Sequence, residues 1–330
     1  MNVQRVTVLG DGGWGTCLAV GLAGKGVPVT LWGAFPDYVR EMAQSRQNPK
    51  FLPGVPLPES LRLTSDAAEA VGSAGVVVVA VPSPYLRQTL ARVAPPTRAV
   101  VVSVVKGLEP KTLLRMSEVV GQVWHTHDVV VVSGPSIAYE VARGIPTTVV
   151  AASATPTAST TVQQLFSTER FRVYRSADVT GVELGGALKN IIAIAAGIAD
   201  GLGFGANTKA ALLARGLAEI TRLGIAMGAQ RETFAGVSGV GDLATTCFSE
   251  HSRNRRLGEA IAKGKTLTEL QGATEQVAEG AVAVQSAVTL AARYHVELPI
   301  AQEVARVLYE GKPPQQAVRD LMLRDPKEED

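Results

Sequence analysis

The sequence predicts an α/β fold, with an N-terminal doubly wound, mainly parallel sheet and a C-terminal all-helical part. Three observations lead to it. Short β-branched runs alternate with helical patterns in the first half, which is typical of parallel strands joined by right-handed crossovers. Most of these runs are continuous valine, as in strands that are buried on both faces. After about Asp178 the strand-like runs stop and long helical patterns take over.

Each element rests on its own pattern. The strand candidates are Arg5–Leu9, Val29–Trp32, Val76–Val81, Val100–Val105, Val129–Ser133 and Thr147–Ala151. The helices predicted between them include Thr16–Ala23 and Ser65–Val71, where Ser65 and Asp66 are cap candidates. The later helical patterns are Gly181–Asp200, Thr208–Met227, Arg255–Ala262, Ala281–Tyr294 and Pro299–Tyr309. We therefore expect two domains, residues 1–180 and 181–330, as the length of 330 residues also favours.

Composition and charge exclude several classes of protein. A formal net charge of +2 gives no overall field for nucleic acid or an anionic membrane, so any bound anion needs a local cluster. Cys17 and Cys247 are too few for a disulfide framework and are expected to be reduced, buried thiols. The run Val6–Leu9 is too short for a signal peptide, and Ile191–Ile198 is too short for a membrane span. These features predict a soluble, cytoplasmic protein.

A glycine turn, Gly10-x-Gly12-x-x-Gly15, follows the first strand and opens a helix. In this setting Gly10 permits a tight turn, Gly12 lets the backbone approach a pyrophosphate, and Gly15 lets the helix pack close to the strand. The helix N-terminus offers N–H groups and a positive dipole end to phosphates. The turn therefore predicts a Rossmann-type dinucleotide site.

The choice between NAD and NADP stays open. An acidic residue about 20 positions further on would bind the ribose hydroxyls of NAD, and an arginine would bind the phosphate of NADP. The second strand runs into Gly33, Ala34 and Phe35, which provide neither group. Asp37 and Arg40 lie nearby in the sequence, but their reach is not fixed by it.

Lys106 is a candidate site residue because it directly follows a valine strand. Ligands of open α/β sheets bind outside the carboxyl ends of the strands, so the ammonium group of this lysine is expected to point towards a bound ligand there. Ser83, Gly134 and Ser136 follow two other strands in the same way. The alternative for Lys106 is an ordinary surface lysine.

Lys189 lies on a predicted helix in a stripe of small residues, with Gly185, Ala193 and Gly197 at four-residue spacing. Such a stripe also fits close helix packing without any chemistry. An ammonium in apolar surroundings is costly unless it is paired, and a desolvated lysine releases its proton more readily, which suits a general acid/base. Asp242, after a glycine-rich bend, is a candidate partner; the alternative is a turn residue or helix cap.

The segment Ser252-Arg253-Asn254-Arg255-Arg256 is a dense basic cluster in a chain of nearly neutral balance. Nucleic-acid binding is not favoured, because the cluster lacks interleaved aromatic residues and a wider basic face. An arginine beside a helix N-terminus suits a phosphate monoester. The alternative is a solvated helix start.

Metal, hydrolase and kinase chemistry are not indicated. His125, His127 and Asp128 lie close together, but no third ligand recurs at useful spacing, so we expect no metal site. The sequence also has no Gly-x-Ser-x-Gly elbow and no Walker loop.

Short motifs in a fixed order cover nearly the whole chain. They are GDGGWGT at 10–16, FLPGVPLP at 51–58, VKGLE at 105–109, SGPS at 133–136, GGALKN at 185–190, DGLGFGAN at 200–207, GVGDL at 239–243, SRNRR at 252–256 and EQVAEG at 275–280. Together they resemble the bacterial NAD(P)-dependent glycerol-3-phosphate dehydrogenases. Many members of that family carry a basic residue where this chain has Ala34 or Phe35, which argues against a strong NADP preference.

The resemblance implies reversible hydride transfer between NAD(P)H and dihydroxyacetone phosphate, giving sn-glycerol 3-phosphate, a precursor of glycerophospholipids. It implies that Lys189 exchanges a proton with the substrate oxygen, with Lys106 and Asp242 beside it. The further substrate contacts that it implies are Gly134, Ser136, Asn190, Thr246, Ser252, Arg253 and Asn254. The cofactor contacts that it implies are Gly10, Gly12, Gly13, Trp14, Gly15, Ala34, Phe35, Tyr85, Lys106, Ala138, Arg253, Val277 and Glu279.

Two alternatives stay open. One is a related two-domain hydroxyacid or polyol-phosphate dehydrogenase, although the arginine cluster favours a phosphorylated substrate. The other is a non-catalytic dinucleotide-binding redox sensor, which would need the glycine turn but not Lys106, Lys189 and Asp242 together. The helical part has apolar faces enough for a dimer, which is common among such folds, so a homodimer is expected.

Overall fold

The computed structural model describes residues 4–126, 128–272, 278–326 and 328–329. These residues form two compact units. The first comprises the chain up to Lys106 and the segment Leu114–Glu183. The second comprises Gly107–Leu113 and the chain from Leu184 onward.

The first unit is built on a mainly parallel sheet, as predicted. Its strands are β1 (Val6–Leu9), β2 (Val29–Trp32), β3 (Gln47–Asn48), β4 (Leu52–Pro56), β5 (Arg62–Thr64), β6 (Val76–Val79), β7 (Val100–Ser103), β8 (Val129–Ser133), β9 (Thr147–Ala152) and β10 (Phe171–Ser176). The main sheet has the order β10-β9-β8-β7-β6-β1-β2-β5, and β3 and β4 form a separate antiparallel pair. Within the main sheet only the β8–β9 pairing is antiparallel among the described residues. The chain therefore winds outward from β1 in both directions.

Helices cover the sheet of the first unit. They are α1 (Gly13–Gly24), α2 (Pro36–Ser45), α3 (Ala67–Val71), α4 (Leu86–Leu90), α5 (Met116–Trp124), α6 (Ala138–Ala142) and α7 (Pro156–Phe166), with a 3₁₀ turn at Ser83–Tyr85 before α4. The valine strands face two cores: Val76 and Val78 pack into one, while Val77 and Val79 pack into the other. Burial on both faces explains why these strands read as continuous valine.

The second unit is helical in its described part. Its helices are α8 (Val179–Gly201), whose first turn belongs to the first unit, α9 (Ala206–Ala226), α10 (Arg231–Phe234), α11 (Asp242–Phe248), α12 (Arg253–Ala262), α13 (Leu267–Gly272), α14 (Glu279–Arg293), α15 (Pro299–Tyr309) and α16 (Pro314–Met322). A π-helical turn, Val237–Gly241, leads into α11. Helix α8 is long and apolar enough to cross a membrane, but 94% of its most apolar window is buried inside the protein. It is the core helix of this unit.

Several predicted bounds need correction. Strands β6 and β7 end at Val79 and Ser103, before the predicted ends at Val81 and Val105. Helix α12 begins at Arg253, two residues before the predicted start. Asp66 is the cap of α3, and its carboxylate accepts from the amides of Ala68 and Glu69.

Candidate functional site

The glycine turn of the first unit has the geometry that its pattern predicts. Gly10 has a φ of 118°, and a Cβ there would lie 2.7 Å from the carbonyl oxygen of Ala80. A Cβ on Gly15 would overlap the carbonyl oxygen of Gly10, so the start of α1 packs directly on the end of β1. Beside Gly12, by contrast, no described heavy atom lies within 4 Å of a Cβ position.

Helix α1 begins at Gly13, and no side-chain hydrogen bond among the described residues caps this end. An uncapped helix N-terminus beside open space offers its backbone N–H groups to an anion. The turn therefore fits the pyrophosphate of a dinucleotide.

Other candidate cofactor residues lie around the same edge of the sheet. The Trp14 ring packs against the Phe171 ring at 6.3 Å between centroids. Ala138, the first residue of α6, has its Cβ 3.9 Å from the Cβ position of Gly13. Ala34 and Phe35 follow β2 and are exposed, and Tyr85, also exposed, ends the 3₁₀ turn after β6. Parallel strands bring all these segments to their common carboxyl edge.

Lys106 lies beyond the end of β7, at the carboxyl edge of the sheet. Its Nζ donates to the carbonyl oxygen of Gly134 at 3.1 Å, and Ser136 Oγ donates to the same oxygen at 2.9 Å. Gly134 has a φ of 143°, and a Cβ there would lie 3.0 Å from the Cα of Val149. Two of the candidate substrate residues, Lys106 and Ser136, thus donate to the carbonyl oxygen of a third, Gly134.

In the second unit, Lys189 is buried and forms an ion pair with the buried carboxylate of Asp242. Its Nζ also donates to Thr246 Oγ1 at 2.7 Å, and that hydroxyl donates to the carbonyl oxygen of Asp242 at 2.6 Å. Asp242 is therefore the partner that the sequence suggested for the lysine. Asp242 and Thr246 are four residues apart on α11, so both face the same neighbour.

The stripe of small residues on α8 explains how the lysine reaches its partners. A Cβ on Gly185 would lie 2.5 Å from the carbonyl oxygen of Ser238, which belongs to the π-helical turn. A Cβ on Gly197 would overlap the carbonyl oxygen of Arg255. The small residues of this stripe therefore allow close helix packing, which was the alternative interpretation of the pattern. The same packing brings Asp242 to Lys189.

A chain of side-chain amides lies beside this pair. Asn190 Nδ2 donates to Glu279 Oε2 at 3.4 Å, and Asn254 Nδ2 donates to Asn190 Oδ1 at 3.0 Å. The backbone N–H of Gly280 donates to Asn254 Oδ1 at 2.9 Å. Buried amides with these partners fix helices α8, α12 and α14 against each other.

The basic cluster separates into two groups. Ser252 caps α12 by accepting from the amide of Arg255, and Arg253 is the exposed first residue of that helix. Arg255 instead donates to Asp200 at 2.6 Å and pairs with Glu259 at 2.8 Å. Arg253 thus stands at a helix N-terminus, where an anion is favoured.

Asn48 is a residue of the first unit that the sequence patterns missed. It is fully buried, and its Nδ2 donates to the carbonyl oxygen of Asp11 and to Thr16 Oγ1, both at 2.8 Å. Its Oδ1 accepts from the hydroxyl of Tyr38 at 2.6 Å. It locks the glycine turn from a distant segment, so no local pattern could reveal it.

The other residues that the sequence singled out are two histidines, a valine and two cysteines. Val277 and His127 lie outside the described residues. Within the described ranges, no group of three His, Cys, Asp or Glu side chains could hold a metal ion. Cys17 and Cys247 are buried without a disulfide, and burial raises the pKa of each thiol to about 12, which excludes a thiolate nucleophile at neutral pH.

Comparisons with known proteins agree over nearly the whole chain. Residues 5–159 match the family model of the NAD-dependent glycerol-3-phosphate dehydrogenase N-terminus, and residues 178–319 match that of its C-terminus. A glycerol-3-phosphate dehydrogenase [NAD(P)+] from Geobacter sp. (strain M21) is 49% identical over 331 residues, which is 99% of each chain. A protein from Salinibacter ruber that is named glycerol-3-phosphate dehydrogenase [NAD(P)+] 2 is 48% identical, and the match covers 98% of this chain and 96% of that protein.

Solved structures give the same result. The crystal structure of glycerol-3-phosphate dehydrogenase from Coxiella burnetii is 38% identical, with a TM-score of 0.93, and the match covers 97% of this chain and 99% of that one.

Proposed function

Because the chain belongs to the NAD-dependent glycerol-3-phosphate dehydrogenase family, we propose that it catalyses reversible hydride transfer between NAD(P)H and dihydroxyacetone phosphate, forming sn-glycerol 3-phosphate. The buried ammonium of Lys189, held by Asp242 and Thr246, is the observation that carries the proposal. Reduction of a ketone needs a hydride for the carbon and a proton for the oxygen. The glycine turn binds the dinucleotide that supplies the hydride, and Lys189 supplies the proton.

In this proposal residues 1–180 form the dinucleotide-binding domain, apart from Gly107–Leu113, which belong to the second unit, and residues 181–330 form the substrate domain. The pyrophosphate is held by Gly10, Gly12, Gly13 and Gly15, and further cofactor contacts come from Trp14, Ala34, Phe35, Tyr85, Lys106, Ala138, Arg253, Val277 and Glu279. When bound, the nicotinamide supplies the hydride or takes it back.

Lys189 acts as the general acid in the reduction. Its ammonium donates a proton to the carbonyl oxygen as negative charge develops there, and in the reverse direction the amine takes the proton back. Asp242 holds the ammonium in place before the transfer. Thr246 keeps a hydrogen bond to the same nitrogen, so the side chain stays oriented in both protonation states.

The phosphate of the substrate is the remote handle that positions the carbonyl. Arg253 and Ser252 bind it at the N-terminus of α12. Asn254 acts by holding Asn190, since both ends of its side-chain amide are engaged. Lys106, Gly134 and Ser136 complete the substrate contacts.

The proposal includes the setting of the enzyme. The product is a backbone precursor for glycerophospholipids, the enzyme acts in the cytoplasm, and the chain forms a homodimer. Neither nucleic acid nor a membrane takes part in the reaction.

The test is the change of absorbance at 340 nm with dihydroxyacetone phosphate, run in parallel with NADH and NADPH. We expect turnover with at least one dinucleotide and none with a 2-oxo acid of similar size. Turnover with the 2-oxo acid alone would favour a hydroxyacid dehydrogenase. Dinucleotide binding without turnover on either compound would favour a redox sensor.

The variant Arg253→Ala tests the phosphate site. We expect KM for dihydroxyacetone phosphate to rise at least about tenfold, because a charge-assisted hydrogen bond to the phosphate is lost, and free phosphate should not rescue it. Arg293→Ala, at the exposed end of α14, is the matched control and should keep the wild-type KM. An unchanged KM in Arg253→Ala would mean that the basic cluster is only a solvated helix start and does not bind the phosphate.

A further inference from the structure

The carboxyl group of Asp11 occupies an unusual place in the glycine turn. Its Oδ2 is shielded from solvent and has no hydrogen-bond partner among the described residues. Burial is the main cause that raises the pKa of this carboxyl group, against a hydrogen bond from its own backbone and the charge of Lys50. A buried acceptor without a donor is costly, so its persistence calls for an explanation.

The carboxyl group lies where β2 ends. Gly33 directly follows β2, and a Cβ on Gly33 would overlap Asp11 Oδ2 and lie 2.7 Å from Val39 Cγ2. In dinucleotide-binding domains the acidic residue that binds the ribose hydroxyls stands at this end of the second strand. Here that position is a buried glycine, and the space its side chain would fill holds the Asp11 carboxyl group instead.

We propose that Asp11 is the acidic residue that selects NAD(H) over NADP(H) in this chain. Its carboxylate accepts a hydrogen bond from the ribose hydroxyl of NAD and repels the additional phosphate of NADP. Asp11 as a whole is only partly buried, and the terminal torsion of an aspartate is soft, so the carboxyl group can turn to meet a donor. This inference rests on the proposed function only in taking the ligand to be NAD or NADP.

Lys50 affects the size of the expected effect. Its charge lowers the pKa of Asp11, so the two groups partly offset each other. When Asp11 is made neutral, the Lys50 ammonium acts on a phosphate without that opposing charge. Loss of the Asp11 charge should therefore weaken NADH binding and strengthen NADPH binding at the same time.

The experiment measures dissociation constants of NADH and NADPH by nicotinamide fluorescence, without substrate. For the wild-type protein we expect the constant for NADPH to be at least about tenfold larger, since a hydrogen bond to a charged group is worth about one order of magnitude or more. In Asp11→Asn we expect the NADPH/NADH ratio to fall at least about tenfold. Glu41→Gln is the matched control, because Glu41 is an exposed carboxylate on α2, the helix that follows Gly33, and this variant should keep the wild-type ratio.

Two results would overturn the inference. One is a wild-type protein that binds NADPH as well as NADH, which needs no variant and so holds even if Asp11→Asn fails to fold. The other is a folded Asp11→Asn protein with the wild-type ratio. Failure of the proposed function is separate: it would show as normal binding of either dinucleotide without reduction of dihydroxyacetone phosphate.

Discussion

Lys189 and Asp242 show what a buried charge requires of its surroundings. Both side chains are almost completely excluded from solvent, and their attraction has to offset a large desolvation penalty. Removing only one partner leaves an uncompensated charge in the interior, which costs about 3–5 kcal/mol in comparable pairs. A loss of activity in a single variant could therefore reflect unfolding, and the two effects must be separated.

Neutralising both partners separates them. We expect Lys189→Ala to lower the free energy of unfolding by about 3–5 kcal/mol, and Lys189→Met/Asp242→Leu to lower it by much less, because no charge is left buried. Both should lose at least about 100-fold in kcat, since no general acid remains, while NADH binding stays near wild type. Urea denaturation, initial rates and fluorescence titration measure the three quantities. A wild-type kcat in the well-folded double variant would remove Lys189 from its proposed role.

Single residues were predictable where a local pattern exposed them. Lys189 stood out because a lysine in an apolar helix needs a partner, and Asp242 because it follows a glycine-rich bend. Asn48 could not be found in this way, because its function depends on contacts with Asp11 and Tyr38 that only the folded chain creates. The sequence showed that Gly33 provides no acidic side chain after the second strand. It did not show that the carboxyl group of Asp11 occupies the space beside Gly33.

At the scale of elements, glycines set how closely α8 and α12 approach. A Cβ on Gly258 of α12 would overlap the carbonyl oxygen of Ile194 on α8 and lie 2.7 Å from the amide nitrogen of Ile198. Backbone atoms of a core helix cannot move aside without loss of packing elsewhere. The crossing also bears on the proposed site, because α8 carries Lys189 and Asn190 while α12 carries Arg253.

Gly258→Ala should therefore destabilise the protein, by about 1–3 kcal/mol, which is the usual cost of overpacking a core. Gly21→Ala on α1 is the control: no described heavy atom lies within 4 Å of its Cβ position, so alanine should stabilise that helix slightly. Thermal unfolding of both variants measures the difference. Equal melting temperatures for the two variants would contradict the close crossing.

The sequence predicted the valine strands and the longest helices, α8 and α9, with ends displaced by up to three residues, as at the start of α1. Helix α16 was not predicted, although its apolar residues recur with a helical period. Strand β10 was missed because it lies at the edge of the sheet, where buried Phe171 and Val173 alternate with exposed Arg172 and Tyr174. Its pattern differs from the continuous valine of the central strands for that physical reason.

At the scale of the whole molecule, the net charge does not show which carboxyl groups are buried and have a raised pKa. The net charge of +2 is visible in the composition, but the burial of Glu219 is not. Glu219 on α9 accepts from the amides of Ile300 at 2.7 Å and Ala301 at 3.3 Å, at the start of α15. Burial raises the pKa of Glu219 to about 7. The two hydrogen bonds and the charges of Arg222 and Arg324 lower this pKa, but by less than burial raises it.

Glu219 therefore makes the stability of the protein depend on pH. The folded protein keeps this proton up to about pH 7, whereas the unfolded chain releases it near the ordinary glutamate pKa of 4.5, so the folded state binds more protons between these values. The free energy of unfolding then falls as pH rises through this window, by about 3 kcal/mol.

Glu219→Gln removes the titration and keeps an oxygen acceptor for the start of α15. From pH 5 to pH 8, the wild-type protein should lose more stability in urea denaturation than this variant. Glu232→Gln, an exposed position on α10, is the control and should follow the wild-type curve. Parallel curves for wild type and Glu219→Gln would mean that the buried carboxyl group is ionised at low cost, and that α15 binds it as a charged cap.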